Sequence, residues 1–386
     1  QDTWKVRPNL TLNYGLRWDA QLMPETVDPS TTAYAQFLDD PGFPSDGTIP
    51  DQWDMWQPRL GVAWDVTNDA KTLIRANWGI YNPRQNMLSQ VGSVTTNALQ
   101  QRTEFRSSEL ASFGVPMPTW PGAFPETPNA PGEFPLFTGV RLFDKDYKNP
   151  RITTWNVAVE REIKYDVAAY ADFTWSKGDI LTRFLQINRT PTGECCDVAP
   201  GTGNTVAYGP GPYGPDLGDV FLTNSRGRSE YRGLTLGIRK RYSNGFQFDA
   251  NYTYSTDKDT DSNERDPFTD RSFNIDDLEK DFGYADRDIR HRFNLYTYFE
   301  VGPLNANVRW QIRSAQPITA SPRVLEGVDR GRNNERKSNE YNSFDWRLAW
   351  PIRLGSNKQF QLIPMIEMFN TFNSENRINP LSTNLL

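Results

Sequence analysis

Apolar and polar residues alternate one by one along most of the chain, and the alternation stops and restarts at turn signals. In 246–255, Phe246, Phe248, Ala250, Tyr252 and Tyr254 fall on one side, opposite Gln247, Asp249, Asn251, Thr253 and Ser255. Successive side chains of a strand point to opposite faces, so such a stretch is a ribbon with one greasy and one wet side. The same alternation fills 10–19, from Leu10 to Asp19, and 306–313, from Ala306 to Arg313. Less regular copies cover 59–66, 72–81, 153–162, 167–176, 230–241, 291–300, 343–350 and 360–369. About eleven strands result, each about ten residues long, the length that crosses a bilayer when tilted.

Connections between these segments alternate short and long. Short turns fall at Thr67-Asn68-Asp69-Ala70, Lys164-Tyr165-Asp166, Asn244-Gly245, Gly302-Pro303 and Gly355-Ser356-Asn357. Asn-Gly is a strong hairpin signal, and the others have ordinary turn chemistry. Long polar stretches near 20–56, 82–151, 178–228, 257–289 and 314–342 lie between them. An antiparallel meander then carries every long loop at the same end. A soluble sandwich has no reason for that asymmetry, whereas outer-membrane barrels have short periplasmic turns and long outer loops. The fold class predicted is all-β, an antiparallel transmembrane β-barrel. Trp18, Trp64, Trp78, Trp175, Trp310 and Trp350 lie on the apolar faces, several near strand ends, as in an interfacial aromatic girdle.

Composition narrows the chemistry. The 386 residues carry 42 Lys and Arg against 48 Asp and Glu, for a net charge of -6. That balance, with no basic stripe, argues against a nucleic-acid partner. A single histidine, His291, excludes His-based triads and multi-His metal sites. No apolar run approaches the roughly 20 residues of a membrane helix. An enzyme is the least expected class, because the lone His and scattered carboxylates form no nucleophile-base arrangement.

Several segments resemble the C-terminal barrel of Oar-like TonB-dependent outer-membrane receptors. They are Leu10-Thr11-Leu12-Asn13-Tyr14-Gly15-Leu16-Arg17-Trp18, Pro58-Arg59-Leu60-Gly61-Val62-Ala63-Trp64-Asp65, Ser229–Leu234 through Arg241–Phe246, Asp288-Ile289-Arg290-His291-Arg292-Phe293 and Glu367–Asn373, in that order along the chain. The resemblance implies a 22-stranded barrel, with an N-terminal plug inside it and a TonB box that couples it to TonB. It implies cargo binding at the outer loops and lumen, followed by energised import. Plug, TonB box and the N-terminal barrel strands have no counterpart in residues 1–386, so the chain is expected to be a fragment that cannot close alone. Expected partners are outer-membrane lipid, the missing plug and barrel half, and TonB through that missing part; the sequence does not decide whether a surface lipoprotein covers the barrel mouth. A passive porin and a barrel-anchored structural or adhesive protein are the rival readings.

Arg17, Arg59, Arg75, Arg239, Arg309, Arg313 and Arg347 fall on the polar strand faces, with Asp19, Asp65, Asp249, Asp345 and Glu367 to pair them. They form either a corridor that contacts cargo and plug or a wall of mutually paired charges; for any single residue the wall is the simpler reading. Trp53, Trp56, Trp120, Tyr208 and Tyr213 are loop aromatics that stack on a ligand or pack the loops together. Asp257, Asp259 and Asp261 repeat oxygen ligands at alternate positions, as a calcium loop does, although the turn glycine of an EF-hand is absent at Ser262. The alternatives are an irregular surface Ca²⁺ site and a solvated acidic loop. Adjacent Cys195 and Cys196 on an outer loop would form a vicinal disulfide or bridge elsewhere. His291, between Arg290 and Arg292 at a strand start, is assigned a structural hydrogen bond.

Overall fold

The computed structural model describes residues 1–95, 139–195, 206–214, 217–262, 269–320, 323–325, 328–336, 338–355 and 360–377. Among them, twelve strands make a continuous antiparallel sheet in strict chain order. They are β1 (Asp2–Arg7), β2 (Leu10–Gln21), β3 (Gln52–Asp65), β4 (Thr72–Tyr81), β5 (Arg151–Lys164), β6 (Val167–Gln186), β7 (Asp219–Ser243), β8 (Phe246–Asp259), β9 (His291–Val301), β10 (Leu304–Arg313), β11 (Tyr341–Ala349) and β12 (Met365–Met368). Every neighbouring pair is a simple meander, so the connections fall alternately at the two ends. All the long ones lie together, as the alternation of loop lengths predicts.

Ten of the eleven predicted segments lie in this sheet, and two corrections are needed. The segment expected at 360–369 is broken at Pro364, which has no N–H for a ladder: Phe360–Leu362 pairs with Ile352–Leu354, and only β12 joins β11. β1 was not expected. Its six residues offer only Trp4 and Val6 as an apolar side, too short a run for periodicity to register. The sequence order begins at β1 and ends at β12, which do not pair with each other among the described residues.

Side chains sort by face as the alternation requires. On the outer face Leu16 is 61% and Leu60 55% exposed to solvent, an exposure that makes sense against lipid. Trp18, Trp64, Trp78, Trp175 and Trp310 share that face, and Trp350 follows β11 directly. On β3, Trp56 and Trp64 are eight residues apart, roughly 27 Å along a strand at about 3.4 Å per residue. A tilt of about 40° brings that to ~20 Å, close to the height of an apolar membrane band.

The buried core lies elsewhere, at the long-loop end. Tyr34, Phe43, Val140, Leu142, Leu217, Val220 and Leu222 form one cluster, and Ile49, Phe143 and Tyr147 a second. A short strand, Gly139–Phe143, pairs in parallel with the first residues of β7, which in turn pair with the last residues of β6. The loops thus fold into a cap with its own interior.

Candidate functional site

Inner-facing residues meet across the sheet in register. Arg239 of β7 stands opposite Asp249, Asp249 opposite Tyr296, Tyr296 opposite Arg309, and Arg309 opposite Asp345. Beside them Arg347 faces Glu367, at 3.6 Å. These groups line a cavity of about 580 Å³ toward the short-turn end. Arg239 also pairs with Glu160, which takes Arg75 at 3.4 Å. Asp345 accepts from Ser343 Oγ at 2.8 Å and from the Asn370 N–H at 2.9 Å.

The remaining predicted wall residues have local partners. Asp19 takes Arg17 at 2.8 Å and Gln57 Nε2 at 2.7 Å. Arg59 lies over the Tyr81 ring at 4.8 Å and Arg313 over Tyr341 at 4.2 Å. Asp65 accepts from the Ala70 N–H at 2.7 Å and so closes a turn. The wall is a mixed-sign, hydrogen-bonding surface whose wet, solvent-screened pairs add little to stability. It can hold polar solutes of either charge.

Two of the four described loop aromatics, Trp53 and Trp56, are placed differently from the expectation. Trp53 and Trp56 are strand residues, because β3 begins at Gln52. Trp56 stands opposite Trp18, and Trp53 stacks on Trp18 at 6.5 Å after a bulge in the β2–β3 register. Both extend the outer aromatic belt. Tyr213 packs edge-on to Phe37 and Phe43 at 5.4 and 5.1 Å, and Tyr208 lies under Arg189 at 3.9 Å while accepting from the Ile275 N–H. These two tyrosines bind loop to loop. Trp120 and Cys196 lie outside the described residues, as does any pairing of Cys195, the last residue of the strand Arg189–Cys195.

Arg332 sits among the acidic residues Asp257, Asp259 and Asp261, for which a Ca²⁺ site and a solvated acidic loop were the alternatives. It pairs with Asp259, whose carboxylate also accepts from Ser262 Oγ at 2.9 Å. Burial disfavours the Arg332 charge, but Asp259, Asp286 and Asp261 outweigh it and raise its pKa. Asp257 donates its N–H to Asp288 at 2.7 Å. Among the described residues no three His, Cys, Asp or Glu side chains converge on a metal position. His291 Nδ1 lies 2.6 Å from the Tyr252 hydroxyl, and its main chain exchanges hydrogen bonds with Ser314.

The cap's ion pairs escape sequence reasoning. Fully buried Arg183 pairs with Asp281, Arg323 bridges Asp281 and Asp329, Arg336 pairs with Asp288, and Arg189 with Asp270. Together they cross-tie three loops. A second network joins Gln21, Gln52, Gln85 and Asn149 to Tyr147 beneath the cap. Burial pushes the Tyr147 phenol well above its ordinary value, so it stays a donor. Partners such as Arg183 and Asp281 are 98 residues apart, and no periodic signal connects them.

The profile of a family described as outer membrane beta barrel domain matches residues 1–315. Among solved structures, the outer membrane transporter YddB from Escherichia coli superposes with a TM-score of 0.54 at 12% identity, covering 84% of this chain and 38% of YddB. A ferric enterobactin receptor (PfeA) mutant from Pseudomonas aeruginosa gives 0.48 at 10% identity, covering 96% of this chain and 38% of that one. The chain therefore spans well under half the length of these structures. No curated protein matches it in sequence.

Proposed function

Since the chain belongs to the outer membrane beta-barrel domain family and lies in the outer membrane of a Gram-negative bacterium, we propose that it is barrel wall from a TonB-dependent receptor of the Oar-like kind. Cargo binds the cap and the inner wall, and TonB drives its import with no bond made or broken. The single observation that carries this reading is the pairing of a folded, ion-tied cap with a polar, mixed-sign wall beneath it. A diffusion channel gains nothing from a cross-tied cap over its mouth. The remainder of a longer protein supplies the plug, the TonB box and the strands that close the barrel.

Two measurements on the full-length protein test this. In planar bilayers it is expected to stay closed, and purified C-terminal TonB domain is expected to bind it. Steady open conductance without TonB binding would make it a porin. A closed barrel that ignores TonB would make it an anchor for its loops.

A further inference from the structure

Above the outer aromatic belt, on the lipid-facing side, a row of cations crosses β5 to β8. Arg151 stands in register with Asp179, Lys177 with Glu230, and Glu230 with Lys258, which itself stands opposite Tyr284 in the short strand Gly283–Tyr284. Arg232 lies over the Trp175 ring at 5.6 Å, and Trp175 stacks on Trp155 at 4.7 Å. Arg290 reaches round to the Tyr284 ring at 4.8 Å, where the Lys258 ammonium approaches to 5.1 Å. The side chains of Lys177 and Arg232 are 51% and 58% exposed.

Fewer carboxylates than cations face this row, and at its β5 end Asp51 and Asp54 share a pocket with Arg151. Asp179 takes Lys177 at 3.0 Å, and Glu230 takes Arg232 together with the Trp175 indole N–H at 3.0 Å. Asp288, 3.8 Å from Arg290, is shared with Arg336. Arg151 and Lys258 have no ion pair among the described residues. A hydrogen bond from Arg290, aided by the charges of Arg290 and Lys258, holds the Tyr284 phenol below its ordinary pKa against burial and Asp288. A cationic strip on a chain of net charge -6 is a local feature, against the overall balance.

We infer that Arg151, Lys177, Arg232, Lys258 and Arg290 form a binding strip for the phosphate groups of outer-leaflet lipids whose acyl chains lie against the apolar band below. The heights match: aromatic rings take the headgroup boundary, and long cationic side chains reach from there to the phosphates. Arg232 over Trp175 shows the arrangement in one pair, with its guanidinium stacked on the belt. This strip is on the opposite side of the sheet from the inner wall, so it holds whether or not the receptor reading does.

The test is native mass spectrometry of the full-length protein in detergent, titrated with bisphosphorylated lipid A and with the same lipid stripped of its phosphates. The wild type is expected to prefer the phosphorylated form tenfold or more, and K177Q/R232Q/K258Q to lose most of that preference. Arg161→Gln, on the outer face at the short-turn end, should keep it. Circular dichroism of the triple variant confirms that strands form. Equal binding of the two lipids by the wild type, or an undiminished preference in the triple variant, overturns the inference. Displacement of the lipid by millimolar inorganic phosphate would also overturn it, by making the strip a site for free anions.

Discussion

At the scale of single residues, the most constrained charges are those that the alternation places on the wrong side or leaves in loops. Lys240 falls on the outer face of β7, yet it is 7% exposed. Its ammonium turns back to the hairpin, 2.8 Å from Ser243 O, 2.6 Å from Ser243 Oγ and 3.2 Å from Phe246 O, over the Phe246 ring at 4.2 Å. Lys240→Met should therefore destabilise the protein by about 2 kcal/mol, the worth of charge-assisted bonds to buried acceptors, read as a lower thermal midpoint in detergent. Asp329 shows the reverse logic in the cap. Burial opposes its charge, but Arg323 and the Gly331 N–H prevail and hold its pKa below the ordinary 3.8. The stability it lends is present at neutral pH and is lost as pH falls through that lowered value. Pepsin cleavage within 323–331, normalised to an unfolded control, should accelerate as pH drops below 3.8, and Asp329→Asn should be cleaved faster already above it. The inner arginines were legible from sequence because alternation assigns a face. The partners of Arg323 were not, because loop packing has no period.

Strands and turns carry the next level of information. The alternation located part of every sheet strand except β1, but not the full length of β3, β6 and β7. Beyond the band, Val220 to Asn224 are all buried, with Val220 and Leu222 in the cap's core and Phe221, on the other face, under the Arg141 guanidinium at 4.0 Å. With both faces covered, the period-two signal disappears, and these residues read as loop. Turn chemistry was read better. Asn244 and Gly245 both have positive φ, 53° and 81°, as a tight hairpin requires. The β5–β6 turn uses Tyr165 and Asp166 at 53° and 63°, where side chains are disfavoured. Asp166→Gly should relieve about 1 kcal/mol of that strain and raise the midpoint, provided the Asp166 carbonyl still accepts from Arg241 N, now 3.0 Å away.

For the whole molecule, the division is between a sheet whose apolar side faces outward and a cap whose apolar residues face one another. Bromination of lipid acyl chains should quench much of the tryptophan fluorescence in vesicles, and Trp64→Phe should remove part of the quenchable signal; an unquenched protein would place the belt in water. Fold class was legible because lipid enforces alternation on every strand. The cap was not, because its core joins residues near 34–43, 140–142 and 217–222. That discontinuity sets an order of assembly. Segments separated by about 75 to 190 residues cannot condense until the strands between them have docked, since loop closure comes before the contacts that reward it. Refolding into detergent should show sheet formation first and cap burial as a slower, separate phase. During that interval the strands stand paired while their long-loop end is still uncovered.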